Sequence, residues 1–252
     1  MRSPVLLSDR PPTLAGEDAF DTPAEVFLRP AGAAAPQPAR PAPAPLTLGD
    51  VVPDFTANST AGPFRLHDWA AGHWTHVFTQ PEPFHPVGTS ELMGIARHRK
   101  DFDALGVRNL CIANYALHFQ SAWAHSITNA FGLSLGFPQI EDPDGTLLAA
   151  IGIGAAKDRT GQAIRTSLVI DPMLRLRIAF DYPVNLGRSI RETLRVIEGL
   201  QTAEELRGIC LPADWEDGEP LLLSPETTAT AADSSYRDIW TAVTPWYRTV
   251  DV

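Results

Sequence analysis

The chain has 252 residues, a formal net charge of -10 and 44% hydrophobic residues, enough for one domain of ordinary size plus appendages. The acidic balance and the lack of any basic run argue against nucleic acid or an anionic membrane as partner, and no apolar run approaches a membrane span. Two cysteines far apart in sequence, Cys111 and Cys210, suggest neither a disulfide scaffold nor a cysteine-based metal site. Val5-Leu6-Leu7 is too short for a signal h-region, so a cytoplasmic protein is expected.

Residues 1–45 carry ten of the 23 prolines, and 31–45 contain little but Ala and Pro. That composition makes a polyproline-like spacer with no means of forming a core. Ahead of it, Phe20 and Val26-Phe27-Leu28 either dock on the body or a partner subunit, or stay disordered. Residues 74–79 are apolar and rich in aromatic and β-branched types, which suits a core strand. Pro81, Pro83 and Pro86 then end the ladder. Thr89 or Ser90 caps a helix lined by Leu92, Ile95 and Ala96, running to about Leu105 with Gly106 just past its end.

Residues 107–113 read as an apolar strand that buries Cys111, an inert position for a thiol. Residues 120–131 put Trp123, Ile127 and Phe131 on one helix face, stopped by Gly132. A short strand at 137–140 and an Asp142-Pro143-Asp144-Gly145 turn follow. Gly152-Ile153-Gly154 lacks the third glycine of a dinucleotide fingerprint and reads as a loop. Residues 165–170 and 174–180 pair as a hairpin around Asp171-Pro172, and Ser189 with Glu192 forms a capping box for a helix that turns Ile190, Leu194 and Ile197 inward. Strands alternating with helices, then a hairpin and a helix, give an α/β sandwich whose topology the pattern leaves open.

The segment from Pro81 to Leu92 joins a strand to a helix N-terminus, where free N–H groups and the dipole favour anions and thiolates. It resembles the active-site loop of peroxiredoxins (AhpC/TSA), P-x-x-x-T-x-x-C, in the six-type 1-Cys subfamily. Pro81, Phe84, Pro86, Val87, Thr89, Glu91 and Leu92 match, while the family's Thr is His85 and its peroxidatic Cys is Gly88. Further matches follow in order: Leu48-Gly-Asp to Phe55, resembling the family's opening strand; Phe64 to Trp69; Arg165, where the family places the Arg that holds peroxide and thiolate; Tyr182-Pro183; Gly187-Arg188; and Pro212 to Gly218. The resemblance runs from Leu46 to the C-terminus. It implies a thioredoxin-like (peroxiredoxin) fold, a central mixed sheet flanked by helices. The divisions are then an extension at 1–45, the domain at 46–201, and a C-terminal dimerisation arm at 202–252 that in the family packs on the partner. A homodimer or higher homo-oligomer is the implied assembly.

A peroxiredoxin thiolate attacks the peroxide O–O bond, and Gly88 has no side chain to do so. Usual thiol peroxidase activity is therefore not expected. What remains is a pocket of His85, Glu91 and Arg165, bordered by Pro81, Phe84 and Thr89. In one reading Arg165 and the helix N-terminus bind a small anionic or oxygenated ligand, with His85 as acid, base or ligand. In a second, the Arg165–Glu91 pair is a fossil and the chain is a non-catalytic subunit assembling with itself or a partner. A third keeps a residual thiol oxidoreductase working through Cys210. The spacing of His67, His73, His76 and His85 matches no familiar ligand motif, so neither metal nor cofactor is expected.

Overall fold

The structure, a computed structural model, describes residues 45–152 and 164–251, all within one compact unit, Ala42–Val252. The expected extension, with Phe20 and Val26-Phe27-Leu28, lies outside the described residues up to position 44, as do Ile153 and Gly154.

Residues 48–55, expected as an opening strand, run irregularly and make an isolated bridge from Val51 to Arg175. The first strand is β1 (Thr56–Ser59), which turns into β2 (Gly62–Arg65) and the short helix α1 (Leu66–Ala70). Then come β3 (Trp74–Gln80), α2 (Pro86–Arg97), α3 (Arg99–Ala104), β4 (Val107–Ala113), α4 (Leu117–Phe131), β5 (Gln139–Glu141) and α5 (Thr146–Ala150). β6 (Ile164–Ile170), β7 (Leu176–Pro183) and α6 (Ile190–Glu205) complete the main body. Its seven-stranded sheet has the order β2-β1-β5-β4-β3-β6-β7. β3 lies parallel to β4 and antiparallel to β6, so the sheet is mixed. All seven residues of β3 are buried, the mark of a central strand covered on both faces. Phe78 points to a core shared with Leu92, Phe102, Trp123 and Ile197, and Val77 to one shared with Leu66, Leu110, Ile112 and Ile140.

Several boundaries differ from the sequence expectations for local reasons. The helix after β3 is capped by His85, with Pro86 in its first turn, so it begins ahead of Thr89 and Ser90. Proline fits there because the first N–H groups have no intrahelical partner. That helix does not run unbroken to Leu105: His98, at φ -92° and ψ 17°, separates α2 from α3. Gly106 does adopt the left-handed conformation expected beyond the end, at φ 64°. α4 starts at Leu117, before the expected Gln120, because the Glu141 carboxylate accepts the Leu117 N–H at 3.1 Å. Trp123 and Ile127 face the core, but Phe131 is exposed in the last turn before Gly132. Ser189 caps α6 by accepting from the Glu192 N–H, while Glu192 itself turns to Arg195 at 2.7 Å, so the reciprocal half of the capping box does not form.

The C-terminal segment folds into a sheet of its own. β8 (Ile209–Cys210), β9 (Leu221–Leu223), α7 (Ala229–Ser235), β10 (Trp240–Thr244) and β11 (Tyr247–Val250) give the order β10-β11-β9-β8. Trp215, Leu221, Leu223, Tyr236 and Val250 bury one another there. Gly199 on α6 lets this unit approach closely, since a Cβ at that position would meet Leu211 at 2.8 Å.

Candidate functional site

The C-terminal end of β3, the first turns of α2 and the β7–α6 loop converge on one carboxylate. Glu91 is 2% exposed, two turns into α2. Its Oε1 accepts the Arg188 backbone N–H at 2.9 Å and stands 3.2 Å from Arg165 Nε. Its Oε2 accepts from Gln80 Nε2 at 2.9 Å and stands 3.2 Å from Arg188 Nη1. Arg165 donates to the carbonyls of Pro183 and Val184, each at 2.8 Å, and to Leu186. Arg188 donates to the carbonyls of Thr79 and Thr166, at 3.2 and 3.4 Å, and lies over the rings of Phe78 and Tyr182. Burial pulls the Arg188 pKa below its usual value, with Glu91 opposing that pull.

Two guanidinium groups thus share one carboxylate in a sealed interior, an excess of one positive charge. Such a group is held by its neighbours' polar atoms or not at all. Here five carbonyls supply that solvation, yet Arg188 Nε and Nη1 and Arg165 Nε lack well-aligned hydrogen bonds.

Gly88 is buried at the start of α2, beside this cluster. A Cβ on it would lie 2.6 Å from Gln80 Oε1 and 3.0 Å from the Trp123 ring. The space for a side chain is therefore occupied by the Gln80 amide, itself fixed by Glu91. Trp123 Nε1 donates to Thr89 Oγ1 at 3.1 Å, and Phe84 tilts over the indole at a ring distance of 5.9 Å. Phe84 sits at φ 58°, a left-handed conformation that costs a non-glycine residue on the order of 1 kcal/mol. Pro81, half-buried, marks the exit of β3.

Of the residues singled out from the sequence, Glu91 and Arg165 come together and His85 does not join them. His85 Nδ1 accepts the Val87 N–H at 3.2 Å, and its carbonyl accepts from the Thr89 N–H and hydroxyl. Its ring is part of the helix start rather than of the charged cluster. Gln80 and Arg188 are the members that sequence reasoning missed. Arg188 had one signal, its place in the Gly187-Arg188 match; Gln80 had none beyond its position at the strand end.

Cys111 is fully buried beneath α2, and burial raises its thiol pKa to about 12, as expected of an inert position. Cys210 is exposed on β8, in the other sheet. Among the described residues no three His, Cys, Asp or Glu side chains gather as a metal would need, and no helix is long and apolar enough to cross a membrane.

The AhpC/TSA family profile matches residues 48–178. A 1-Cys peroxiredoxin of Medicago truncatula is 33% identical over 187 residues, covering 73% of this chain and 85% of that one. Human peroxiredoxin-6 is 34% identical over 192 residues, with the same coverage of each. Among solved structures, the yeast mitochondrial 1-Cys peroxiredoxin superposes with a TM-score of 0.74 at 25% identity, covering 82% of this chain and all of that one. A Cys-to-Ser mutant of Arenicola marina peroxiredoxin 6 gives 0.74 at 27% identity, covering 82% and 98%. The chain belongs to the AhpC/TSA, or peroxiredoxin, family, on the 1-Cys side of it, and carries that family's thioredoxin-like fold.

Proposed function

We propose that this chain is a peroxiredoxin-fold protein that has given up thiol peroxidation and serves as a non-catalytic subunit. The observation that carries the reading is the filling of the space at Gly88 by Gln80 and Trp123. Gly88 stands where the 1-Cys pattern has its nucleophile. Loss of the side chain alone would leave a hole; here the hole is closed by an amide hydrogen-bonded to Glu91. Arg165 and Glu91 then act as a structural pair, with Arg165 held by carbonyls of the β7–α6 loop.

The test is peroxide consumption with a thiol reductant. Wild type is expected to be inert, Gly88→Cys alone to gain little, and Gly88→Cys with Gln80→Ala to gain more, because the second change clears the contact. Turnover by wild type overturns the reading, and its loss in Cys210→Ser would then move the activity to the exposed thiol on β8.

A second reading keeps the cluster as a pocket of His85, Glu91 and Arg165 for a small anionic or oxygenated ligand. Nε of buried Arg188, which has no hydrogen-bond partner, favours it. It requires Gln80 to swing aside, and anion binding unchanged by Arg165→Ala would sink it.

Assembly as a homodimer or higher homo-oligomer goes with the subunit role. Val243 and Trp246, 64% and 80% exposed on the β10–β11 hairpin, are apolar surface suited to a partner, and light scattering on the full chain checks it. Two unpaired cysteines suit a reducing, cytoplasmic setting.

A further inference from the structure

We infer that the chain holds a second site, for a small organic anion with an apolar body, at the edge of the sheet away from Gly88. A cavity of about 370 Å³ opens between α1, the α2–α3 junction, the start of β4 and the loop before β5. This is the lower end of the size range of small-molecule pockets. Its walls divide by chemistry. Phe137, backed by the nearly buried Ile95, Val107 and Leu135, gives an apolar side, while Arg99, Arg108 and Asn109 bring donors.

Each donor is positioned by something other than solvent. The Arg108 guanidinium lies 5.5 Å over the Trp69 ring and donates to the Trp69 carbonyl, which fixes its plane. The Arg99 guanidinium crosses Gly136. That residue has φ 71°, a backbone that favours glycine, and with no Cβ there the Arg99 Nη1 can lie against it, 2.7 Å from where a Cβ would stand. Asn109 Oδ1 accepts from His76 Nδ1 at 2.9 Å, and His76 is fully buried with Nε2 on the Ser167 hydroxyl at 3.3 Å. With its oxygen engaged, Asn109 offers the cavity its NH2 group.

Among the described residues the only acidic side chain lining the cavity is Asp103, paired with Arg99 at 3.6 Å with both groups largely exposed. Exposed pairs of this kind are weak and exchange readily for a ligand carboxylate. Two guanidinium groups and an amide donor match a carboxylate's two oxygens, and the opposite wall matches a ring or a branched chain. The cavity is remote from Gly88. Asn109 lies four residues before Ala113, the partner of Gln80, or about 13 Å at roughly 3.3 Å per residue. The inference therefore stands whether or not the chain reduces peroxide.

The experiment is titration of the full chain with phenylacetate, read by amide NMR shifts. Saturable one-to-one binding with a Kd at or below about 1 mM is expected. Uncharged phenylacetamide should bind at least about tenfold more weakly, as should Arg99→Gln, whose exposed position makes misfolding an unsuitable explanation. Asp103→Asn should tighten binding about threefold by releasing Arg99, a change that no folding defect imitates. No saturation by about 10 mM, or an unchanged Kd in Arg99→Gln, overturns the site. Inorganic phosphate binding as well as phenylacetate overturns the organic class, because the apolar wall would then contribute nothing.

Discussion

At its C-terminal end β3 delivers Gln80 into a cluster where Glu91, Arg165 and Arg188 are almost wholly buried; farther back, His76 reaches Asn109 at the wall of an open cavity whose Arg99 is 60% exposed. Both regions combine two arginines with one carboxylate. At the sealed end the charges are held at fixed distances by backbone carbonyls and cannot exchange with water, so removing one member leaves the others uncompensated. At the open end the pair is solvated and each member tolerates loss of the other. The difference teaches where to expect structure and where to expect binding: a closed ionic cluster stabilises, while an open one can take a ligand.

The largest effect should come from breaking the sealed end. Glu91→Gln keeps the shape but removes the charge that both guanidinium groups face, and a loss of about 3–5 kcal/mol in denaturant unfolding is expected. A change below about 1 kcal/mol would mean that the carbonyls around Arg165 and Arg188 suffice without the carboxylate. Next is pH. Burial lowers the His76 pKa to about 3, against an ordinary 6.5, so the folded chain excludes a proton that the unfolded chain binds between those values. Stability from this group is therefore complete above about pH 6.5 and falls as pH drops toward 3, with a slope approaching 1.4 kcal/mol per pH unit. His76→Phe, stacked like His76 between Phe78 and Phe102, should lose that part of the slope whatever its effect at neutral pH. Third, Gly88→Cys should cost about 1–3 kcal/mol by forcing Gln80 and Trp123 apart, and adding Gln80→Ala should relieve the contact with Gln80 at the expense of one hydrogen bond to Glu91.

How much of this was legible in the sequence depends on which physics sets each feature. The apolar runs at 74–79 and 107–113 became β3 and β4 because strand pattern and burial report the same thing. The thioredoxin-like topology came from the resemblance, since periodicity says nothing about pairing. Cys111 was readable as inert from its apolar neighbours alone. His85 was missed as the cap because a histidine beside a helix start can either titrate or cap; Pro86 immediately after it was the local signal for a cap. Arg188 and Gln80 were missed for a different reason. Their partners are distant in the chain, Arg188 reaching Thr79 across 109 positions and Gln80 reaching Glu91 around the turn between β3 and α2, and no spacing rule anticipates such contacts. The separate C-terminal sheet was hidden too, because its strands are two to five residues long, below the length at which alternation is readable.

The smallest expected effect is the sharpest check on the comparison. Arg99→Gln removes a guanidinium that is charged, paired and in contact with its neighbours, as Arg165 is, yet its stability cost should stay below about 1 kcal/mol. Arg99 and its partner Asp103 are 60% and 66% exposed, so water replaces whatever the substitution removes. Arg165, 1% exposed and donating to three carbonyls, has no such replacement: Arg165→Gln should cost several times more, on the order of 3 kcal/mol, because it takes one of two cations from the buried Glu91 carboxylate and unties the carbonyls of Pro183, Val184 and Leu186. Measured side by side under one denaturant, the two arginines separate burial from charge. If Arg99→Gln proves as costly as Arg165→Gln, the cavity is closed in solution, and an organic anion would have no way in.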